Sequence, residues 1–237
     1  MIEKKFVICG VGRCGTHLLS SHLESHPDVC FLDELLGWRR PERLSGASVA
    51  DAFDYIADRV RAADRKVVGF DLKYEHAGTL STPFSKLWAV GKLNEMLLED
   101  GYCHIHVTRR DHLACYVSFK LATRQNRWMY SPYLKEKIRI DVCDLIEWVK
   151  WVGWTKGRIN YITDSFPSNR YFETDYEDVQ AGVFSGVAGF LGLGGFKMFN
   201  SRKYEKQMSG GVWSFVENED EVRQCLEENR GLFEGVK

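Results

Sequence analysis

Short, continuous apolar runs alternate along the chain with longer segments in which apolar residues recur every three or four positions. Residues 5–10 (KFVICG) form one such run, which ends at a glycine as a buried strand would. Residues 48–63 instead place Phe53 and Ile56 on one side, which is the pattern of an amphipathic helix. The alternation predicts a chain built from repeated strand and helix units.

The same two patterns continue to the end of the sequence. We predict strands at residues 5–10, 29–32, 66–72, 102–108 and 170–173. We predict helices at residues 16–26, 48–63, 83–99, 111–123, 141–162 and 178–191, and from about 218 onward. Repeated β-α-β units favour a parallel sheet with helices on both faces, so the expected fold class is α/β. The sequence shows no repeat, low-complexity segment or linker, and we expect residues 1–237 to form a single domain.

Composition narrows the possible partners. Lys plus Arg is 32 and Asp plus Glu is 33, a balance that argues against a general nucleic-acid or membrane-surface binder. No stretch approaches the ~20 apolar residues of a membrane span, and no signal peptide is visible. The seven cysteines are odd in number and form no C-x-x-C, which disfavours a disulfide framework or a zinc site. We therefore expect a cytoplasmic protein without a structural metal.

A glycine-rich segment between the first predicted strand and helix carries the clearest chemistry. Residues 10–17 read GVGRCGTH. Glycines allow the backbone to approach a phosphate closely, and the start of the following helix offers unpaired N–H groups and the positive end of its dipole. The segment predicts a phosphate-binding loop, and three kinds of loop have this general form.

The first kind, the Walker A loop, lacks two of its parts here. Gly10 and Gly15 have the required spacing. However, Thr16 stands where the lysine belongs, and His17 stands where the Mg²⁺-binding Ser or Thr belongs. Phosphoryl transfer of the Walker type is therefore disfavoured.

The second kind is the dinucleotide-binding turn G-x-G-x-x-G. Gly10, Gly12 and Gly15 match it. The acidic pair Asp33 and Glu34 follows at about the ~20-residue distance where such proteins bind a ribose. A side chain as large as arginine inside the turn, at position 13, argues against this reading. A dinucleotide-dependent (NAD or NADP) oxidoreductase nevertheless stays an alternative.

The third kind is the 5′-phosphosulfate loop of sulfotransferases that use PAPS (3′-phosphoadenosine 5′-phosphosulfate). That family has a strand, a loop of the form G-x-P-R-S-G-T-T-L-L, and a helix ending near H-P. This sequence resembles it with GVGRCGTHLL at residues 10–19 and His26-Pro27. Three family positions differ, where a proline, a serine and a second threonine are replaced by Gly12, Cys14 and His17. An imidazole N–H of His17 can substitute for the missing hydroxyl donor.

A second segment strengthens the resemblance. Residues 107–122 read VTRRDHLACYVSFKLA. In the sulfotransferase family, an Arg at the end of a strand and a Ser eight residues later hold the 3′-phosphate of PAPS, and Arg110 and Ser118 have this separation. A planar guanidinium offers a forked donor to a dianionic phosphate. The segment is similar to the bacterial carbohydrate branch, which includes nodulation-factor and trehalose sulfotransferases.

The resemblance extends to the C-terminal third of the chain. Residues 172–178 (FETDYED) resemble the family's strand followed by Y-E-D-L, and residues 190–193 (FLGL) resemble its F-L-G-L helix end. In the wider family a basic C-terminal segment closes over the 3′-phosphate. The residues of this chain that the resemblance assigns to that role are Arg202, Lys203 and Lys206.

The resemblance implies a P-loop-like sulfotransferase fold and a set of site residues. For the catalytic base it implies Glu34, with Asp33 and His76 as alternatives. It implies charge stabilisation by Arg13 and a contact from Lys73 to the sulfuryl or bridging oxygen. No metal is required. The expected nucleotide-binding residues are Gly12, Arg13, Cys14, Gly15, Thr16, His17, Arg110, Ser118, Arg202 and Lys203.

The expected function is transfer of the sulfuryl group from PAPS to the hydroxyl of a small molecule or glycan. The favoured acceptor is a sugar or glycolipid hydroxyl. The expected partners do not include nucleic acid. Besides the oxidoreductase, one further alternative stays open, which is a module that binds PAP (adenosine 3′,5′-bisphosphate) without turnover. The differences from the family motif at Gly12, Cys14 and His17 are the reason for considering that alternative.

Overall fold

The structure is a computed structural model of the chain. It describes residues 1–37, 41–44, 46–74, 86–128, 132–164, 167–194, 208 and 210–234. Contacts between the described residues divide them into two compact units. The first comprises the described parts of 1–108 and 159–201, and the second the described parts of 109–158 and 202–237.

A parallel sheet forms the centre of the first unit. Within the described residues it has five strands, which are β1 (Lys4–Gly10), β2 (Val29–Phe31), β3 (Val67–Lys73), β4 (Tyr102–Thr108) and β5 (Tyr171–Asp175). Their order in the sheet is β2-β3-β1-β4-β5, and every paired neighbour is parallel. In register, Gly10 at the end of β1 lies opposite Lys73 at the end of β3. The carboxyl ends of these neighbouring strands therefore meet at one edge of the sheet.

Helices of the first unit flank this sheet on both faces. They are α1 (Thr16–Glu24), α2 (Val49–Arg61), α3 (Lys86–Glu99), α6 (Tyr176–Gln180) and α7 (Ser185–Leu191). The β1-to-β2 connection runs in the opposite direction across the sheet from the β2-to-β3 and β3-to-β4 connections. Because such crossovers are right-handed, α1 lies on one face and α2 and α3 lie on the other. The contacts of α1 with α6, and of α2 with α3, agree with this division.

Burial explains why the central strands read as continuous apolar runs. Phe6, Val7 and Ile8 of β1 are fully buried, as are Phe70 and Leu72 of β3. A parallel strand covered by helices on both faces presents no polar side to water, so it does not alternate.

The helix α2 shows the local sequence rules clearly. Ser48 caps it: the Ser48 hydroxyl accepts from the Asp51 N–H, and the Asp51 carboxylate accepts from the Ser48 N–H. This reciprocal capping box satisfies two donors at the helix start. Its apolar face buries Ile56 and Val60.

The second unit has a core of its own. Its elements are α4 (His112–Gln125), α5 (Val142–Thr163, whose last turn belongs to the first unit), a 3-10 helix (Val212–Phe215), α8 (Glu219–Glu228) and α9 (Arg230–Glu234). A single parallel bridge joins Ile138 to Val216. The buried residues at its centre include Tyr116, Val117, Leu121, Leu145, Val149, Phe215, Val216 and Val222. Within the described residues of the chain, no helix combines the length and apolar character needed to cross a bilayer.

The sequence-based elements agree with the structure to within a few residues, with two corrections. The final helix, predicted as one from about residue 218, is divided at Asn229 into α8 and α9. A single helix predicted at 178–191 is in fact two helices, α6 and α7. The chain leaves the helical conformation at Gly182, whose φ is +84°. The N–H of Val183 donates back to the carbonyl of Asp178 at 2.9 Å, which closes a turn between the helices. The apolar spacing continued across this break, and the glycine was the local indication that it would occur.

Candidate functional site

The glycine-rich segment is a tight loop at the carboxyl end of β1 that leads into α1. Two of its residues have left-handed backbone conformations: Arg13 with φ +71° and Gly15 with φ +99°. A left-handed conformation costs a non-glycine residue about 1–2 kcal/mol. Strain of this kind persists where the surrounding structure over-determines the backbone, which is frequent at binding sites.

Close packing explains the glycines of the loop. A Cβ at Gly10 would lie 2.5 Å from Cys14 Sγ and 2.8 Å from the carbonyl oxygen of Val107. A Cβ at Gly15 would lie 2.4 Å from the ring of Tyr176. Cys14 itself is fully buried, so its side chain fills space beneath the loop. The backbone of the loop is therefore in close contact with Cys14, Val107 and Tyr176.

Lys73 is the buried cation of the site. It is the last residue of β3, and its Nζ donates to the Thr16 hydroxyl and to the carboxylate of Asp71. The same Nζ lies 3.6 Å from Glu34 Oε1. Burial alone lowers the pKa of Lys73, but the Asp71 and Glu34 carboxylates outweigh that effect and hold its pKa above the usual value. The side chain therefore stays charged while only 7% exposed.

The segment after β2 is bonded to β3 and turns sharply there. The Leu32 N–H donates to the Gly69 carbonyl at 2.8 Å, and the Asp71 N–H donates to the Asp33 carbonyl at 3.0 Å. Asp33 has a φ of +62°, a left-handed conformation that acidic and amide residues tolerate better than most. This turn sets the direction in which Glu34 leaves the strand.

Glu34 lies at the centre of a group of charged side chains. Its Oε1 lies 2.9 Å from His17 Nε2 on α1, in addition to the approach of Lys73. On its other side it packs against the backbone of Gly37, where a Cβ would lie 2.7 Å from Oε2. The Gly37 N–H donates to the Glu34 carbonyl at 3.0 Å, so the segment folds back on itself.

Three of these residues have the spacing of a metal site. Ligand atoms of His17, Glu34 and Asp71 all lie within 4.8 Å of one another. The Lys73 ammonium, however, already bonds Asp71 and approaches Glu34. A divalent cation among the three ligands would meet that positive charge at close range. The carboxylates are better explained as the acceptors that surround Lys73.

The neighbouring strands β4 and β5 carry a further group of polar side chains. The Thr108 hydroxyl at the end of β4 donates to the Asp175 carboxylate at the end of β5. Two residues earlier on β4, His106 Nδ1 lies 3.1 Å from the Tyr171 hydroxyl. The ring of Tyr74 packs edge-on against His106. The first bond ties the carboxyl ends of β4 and β5 together, and the second joins β4 to the first residue of β5.

Ser118 and Arg110 belong to the second unit. Asp111 caps α4, where its Oδ1 accepts from the Ala114 N–H at 2.8 Å. Ser118 is buried on that helix, and its hydroxyl lies 3.1 Å from the hydroxyl of Tyr133. The Tyr133 hydroxyl donates to the Ser118 carbonyl at 2.8 Å, so the Ser118 hydroxyl is the donor of the other bond.

Arg110 lines a cavity of about 570 Å³ inside the second unit. Two further arginines from the C-terminal helices, Arg223 and Arg230, line the same cavity. Trp213 forms an apolar wall, and the Arg223 guanidinium lies 4.1 Å from the centre of its ring. Asp111 and Glu227 also line the cavity, and the Arg223 guanidinium is bonded to Glu219. The cavity therefore combines guanidinium donors with acidic groups and an aromatic surface.

The predicted site residues fall into three groups. Thr16, His17, Glu34 and Lys73 are joined by direct contacts, beneath and beside the loop that contains Gly12, Arg13, Cys14 and Gly15. Arg110 and Ser118 lie in the second unit. His76, Arg202, Lys203 and Lys206 lie outside the described residues.

Sequence reasoning missed Asp71, Gly37 and Tyr176. Asp71 had a usable signal, because a carboxylate two residues before Lys73 on one strand must share its face. Tyr176 lies in the segment that resembles Y-E-D-L, but its packing against Gly15, like that of Gly37 against Glu34, follows only from the fold.

No family model and no curated protein matches this chain. Solved structures do match its fold. A sulfotransferase from Alicyclobacillus acidocaldarius aligns with 100% of this chain and 96% of its own at a TM-score of 0.55 and 14% identity. The mouse sulfotransferase SULT7A1 complexed with PAP aligns with 100% of this chain and 89% of its own at 0.56 and 12%. The sulfotransferase domain from the curacin biosynthetic pathway aligns over 100% and 89% at 0.51 and 13%. The chain therefore has the fold of these sulfotransferases.

Proposed function

We propose that this chain is a sulfotransferase that moves the sulfuryl group from PAPS to a hydroxyl acceptor, with residues 1–237 acting as one domain. The observation that carries the proposal is the contact network of Lys73, Thr16 and Glu34 at the glycine-rich loop. It places a permanent cation and a carboxylate side by side at the carboxyl ends of parallel strands, where α/β folds bind their ligands. The fold shared with sulfotransferases, one of them solved with PAP, supports the same conclusion.

The loop is the proposed site for the 5′-phosphosulfate. The backbone of Gly12, Arg13, Cys14 and Gly15 approaches the ligand closely, at the N-terminal end of α1. The Arg13 guanidinium stabilises negative charge on the sulfuryl and 5′-phosphate oxygens. Thr16 contributes to this site by holding Lys73 in place.

The proposed residues for the 3′-phosphate are Arg110 and Ser118, together with Arg202 and Lys203. The cavity that Arg110 shares with Arg223 and Arg230 supports an anion site at this end of α4. Several guanidiniums around one dianionic phosphate are a recurrent solution for its recognition.

The proposed reaction needs a base, charge neutralisation and alignment. Glu34 takes the proton from the acceptor hydroxyl as that oxygen forms a bond to sulfur. The bond between sulfur and the bridging oxygen breaks, and its electron pair leaves with PAP. Lys73 and Arg13 neutralise the charge that develops on the bridging and sulfuryl oxygens, so the step is proposed without a metal.

The acceptor class follows from the sequence resemblance alone. The segment around Arg110 is similar to the bacterial carbohydrate branch, so we propose a sugar or glycolipid hydroxyl. The cytoplasmic location expected from composition stays a prediction.

The oxidoreductase alternative receives no support from the site. In a dinucleotide-binding fold the acid after the second strand bonds the ribose. Here Glu34 bonds His17 and lies against Lys73, and Asp33 turns the backbone. The PAP-binding module without turnover shares the whole binding site with the enzyme, so only an activity measurement separates the two.

Two measurements test the proposal. Thermal unfolding with PAP, AMP, NAD and ATP plus magnesium should show the largest stabilisation with PAP, about 2.7 kcal/mol at one hundred times its Kd. Transfer of labelled sulfuryl from PAPS to a panel of sugars, glycolipids and simple alcohols should then yield a sulfate ester. Equal stabilisation by NAD and PAP would contradict the nucleotide assignment. Tight PAP binding with no transfer to any acceptor would favour the binding module.

A further inference from the structure

His17 departs from the sulfotransferase motif, and the structure gives the departure a specific contact. Where the family resemblance places a second threonine, His17 directs Nε2 to Glu34 Oε1 at 2.9 Å. Both side chains are largely buried, at 19% and 15% exposure. Because a carboxylate only accepts hydrogen bonds, Nε2 carries the proton of this bond. A buried contact of this geometry fixes both partners.

We propose that His17 is a positioning residue for Glu34 and not a ligand of the nucleotide phosphate. The proposal rests on the proposed role of Glu34 as base. It replaces the expectation that the imidazole N–H substitutes for the hydroxyl of the missing threonine. In this chain the residue at the second position of α1, His17, orients the proposed base Glu34 instead of binding a phosphate.

The geometry around Glu34 supports a positioning role. His17 approaches Oε1 from α1, and Lys73 approaches the same oxygen from β3 at 3.6 Å. The Gly37 backbone lies so close to the same side chain that a Cβ there would be 2.7 Å from Oε2. A carboxylate held by donors and by close backbone keeps one orientation toward an acceptor. Misplacement of a reacting group by about 1 Å can lower a rate ~10²-fold.

The second ring nitrogen argues against a phosphate contact. His17 Nδ1 faces the Asp33 carboxylate, with 3.9 Å between Nδ1 and Oδ1. Both nitrogens therefore lie near carboxylates. A phosphate brought to either of them would be repelled by the neighbouring negative charge.

The test compares two substitutions of this histidine with a control on the same segment. His17→Leu removes the N–H donor, and His17→Gln places an amide N–H near the position of Nε2. His26→Asn is the control, because His26 lies beyond the end of α1 and accepts from the Asp28 N–H at 3.1 Å. We expect His17→Leu to lower kcat ~10–100-fold while the Kd for PAP changes less than ~3-fold. His17→Gln should recover most of the lost kcat, and His26→Asn should match the wild type.

A double-variant measurement ties the effect to Glu34. If His17 acts through this carboxylate, His17→Leu should lower kcat no further in a Glu34→Gln background. A full additional loss there would overturn the proposal. So would a weaker Kd for PAP in His17→Leu with kcat unchanged, which would make His17 a phosphate ligand.

A spectroscopic readout keeps this inference separate from the proposed function. In ¹⁵N NMR of the unliganded protein, the His17 ring should carry a proton on Nε2, and Glu34→Gln should shift the signals of both ring nitrogens. If the ¹⁵N chemical shifts of the His17 ring are the same in Glu34→Gln as in the wild type, the pairing of His17 with Glu34 is overturned. This conclusion holds whether or not the chain transfers sulfuryl groups. An intact pairing in a chain that neither binds PAP nor turns over PAPS would contradict the proposed function instead.

Discussion

Lys73 and Asp71 stand two residues apart on β3 and form a buried ion pair directly beneath the glycine-rich loop. Side chains at this separation share one face of a strand, so the pair is set by the strand itself. The Asp71 side chain is fully buried, and the Lys73 ammonium continues from it to the Thr16 hydroxyl. Asp71 thus keeps a cation charged and oriented at the site where the proposed reaction needs it.

Removal of Lys73 should destabilise the fold as well as the site. Lys73→Met leaves the Asp71 carboxylate buried without its partner, which is expected to lower the free energy of unfolding by about 3–5 kcal/mol. The double variant Asp71→Asn/Lys73→Met should regain most of this stability without regaining sulfuryl transfer. Urea unfolding and a transfer assay on both proteins check the two halves of the prediction.

The matched control for this prediction is an exposed pair in the same unit. Lys5 and Asp100 form an ion pair at 2.7 Å with side chains 26% and 43% exposed. Lys5→Met should therefore change stability by about 1 kcal/mol or less. If it cost as much as Lys73→Met, burial of the Lys73 pair would not be the cause of the larger effect.

A methyl group at Gly37 should displace the proposed base. In Gly37→Ala the new Cβ would lie 2.7 Å from Glu34 Oε2 and 2.8 Å from Glu34 Cβ, so the carboxylate must move. We expect kcat to fall ~10-fold or more with the Kd for PAP nearly unchanged. Gly189→Ala on α7 is the control, because its new Cβ would meet nothing within 4 Å. Steady-state kinetics and PAP titrations of both variants decide, and equal kcat values would remove the proposed role of Gly37.

Glu34→Gln tests the base itself. The amide keeps the shape of the side chain but cannot take a proton from the acceptor, so turnover should fall ~10²–10⁴-fold. Binding of PAP should barely change. Calorimetric titration with PAP and initial rates with PAPS give the two numbers. Full activity in this variant would transfer the role to Asp33 or His76.

Substitution of the two proposed phosphate-binding arginines, Arg110 and Arg13, should change different kinetic constants. Arg110→Ala removes a contact to a phosphate that does not react, so KM for PAPS should rise with kcat nearly unchanged. Arg13→Ala removes charge stabilisation where charge develops, so kcat should fall ~10²-fold or more. Only Arg110→Ala should abolish the preference for PAP over AMP. A loss of kcat alone in Arg110→Ala would contradict the assignment of the 3′-phosphate.

His104 should make the fold sensitive to acid. It is buried on β4, and burial lowers the pKa of His104 from 6.5 to about 3. Between these values the unfolded chain binds a proton that the folded chain does not, so stability falls as the pH falls. From pH 6.5 to 5.0 this group should remove about 2 kcal/mol. The free energy of unfolding of His104→Phe should depend less on pH over this interval, and an unchanged slope would show that another group is responsible.

Local patterns in the sequence determined much of this protein. Continuous apolar runs specified the buried parallel strands, because a strand covered on both faces has no polar side. Glycines at fixed spacing before an apolar helix specified the tight loop between β1 and α1, since only a short local segment is needed to form it. The position of Arg110 after β4 was also readable, because it depends on a strand end and a helix start that are adjacent in the chain.

The tertiary structure decided which of the polar residues act together. His17, Glu34, Asp71 and Lys73 come from three segments, and they meet only because β1, β2 and β3 end at one edge of the sheet. The left-handed turn at Asp33 then directs Glu34 toward His17 rather than toward solvent. Periodicity carries information about one element at a time, whereas a side chain's partner depends on strand order, register and backbone direction together. For that reason the sequence indicated Glu34 as a candidate base. Only the fold showed that its carboxylate contacts His17, Lys73 and the backbone of Gly37.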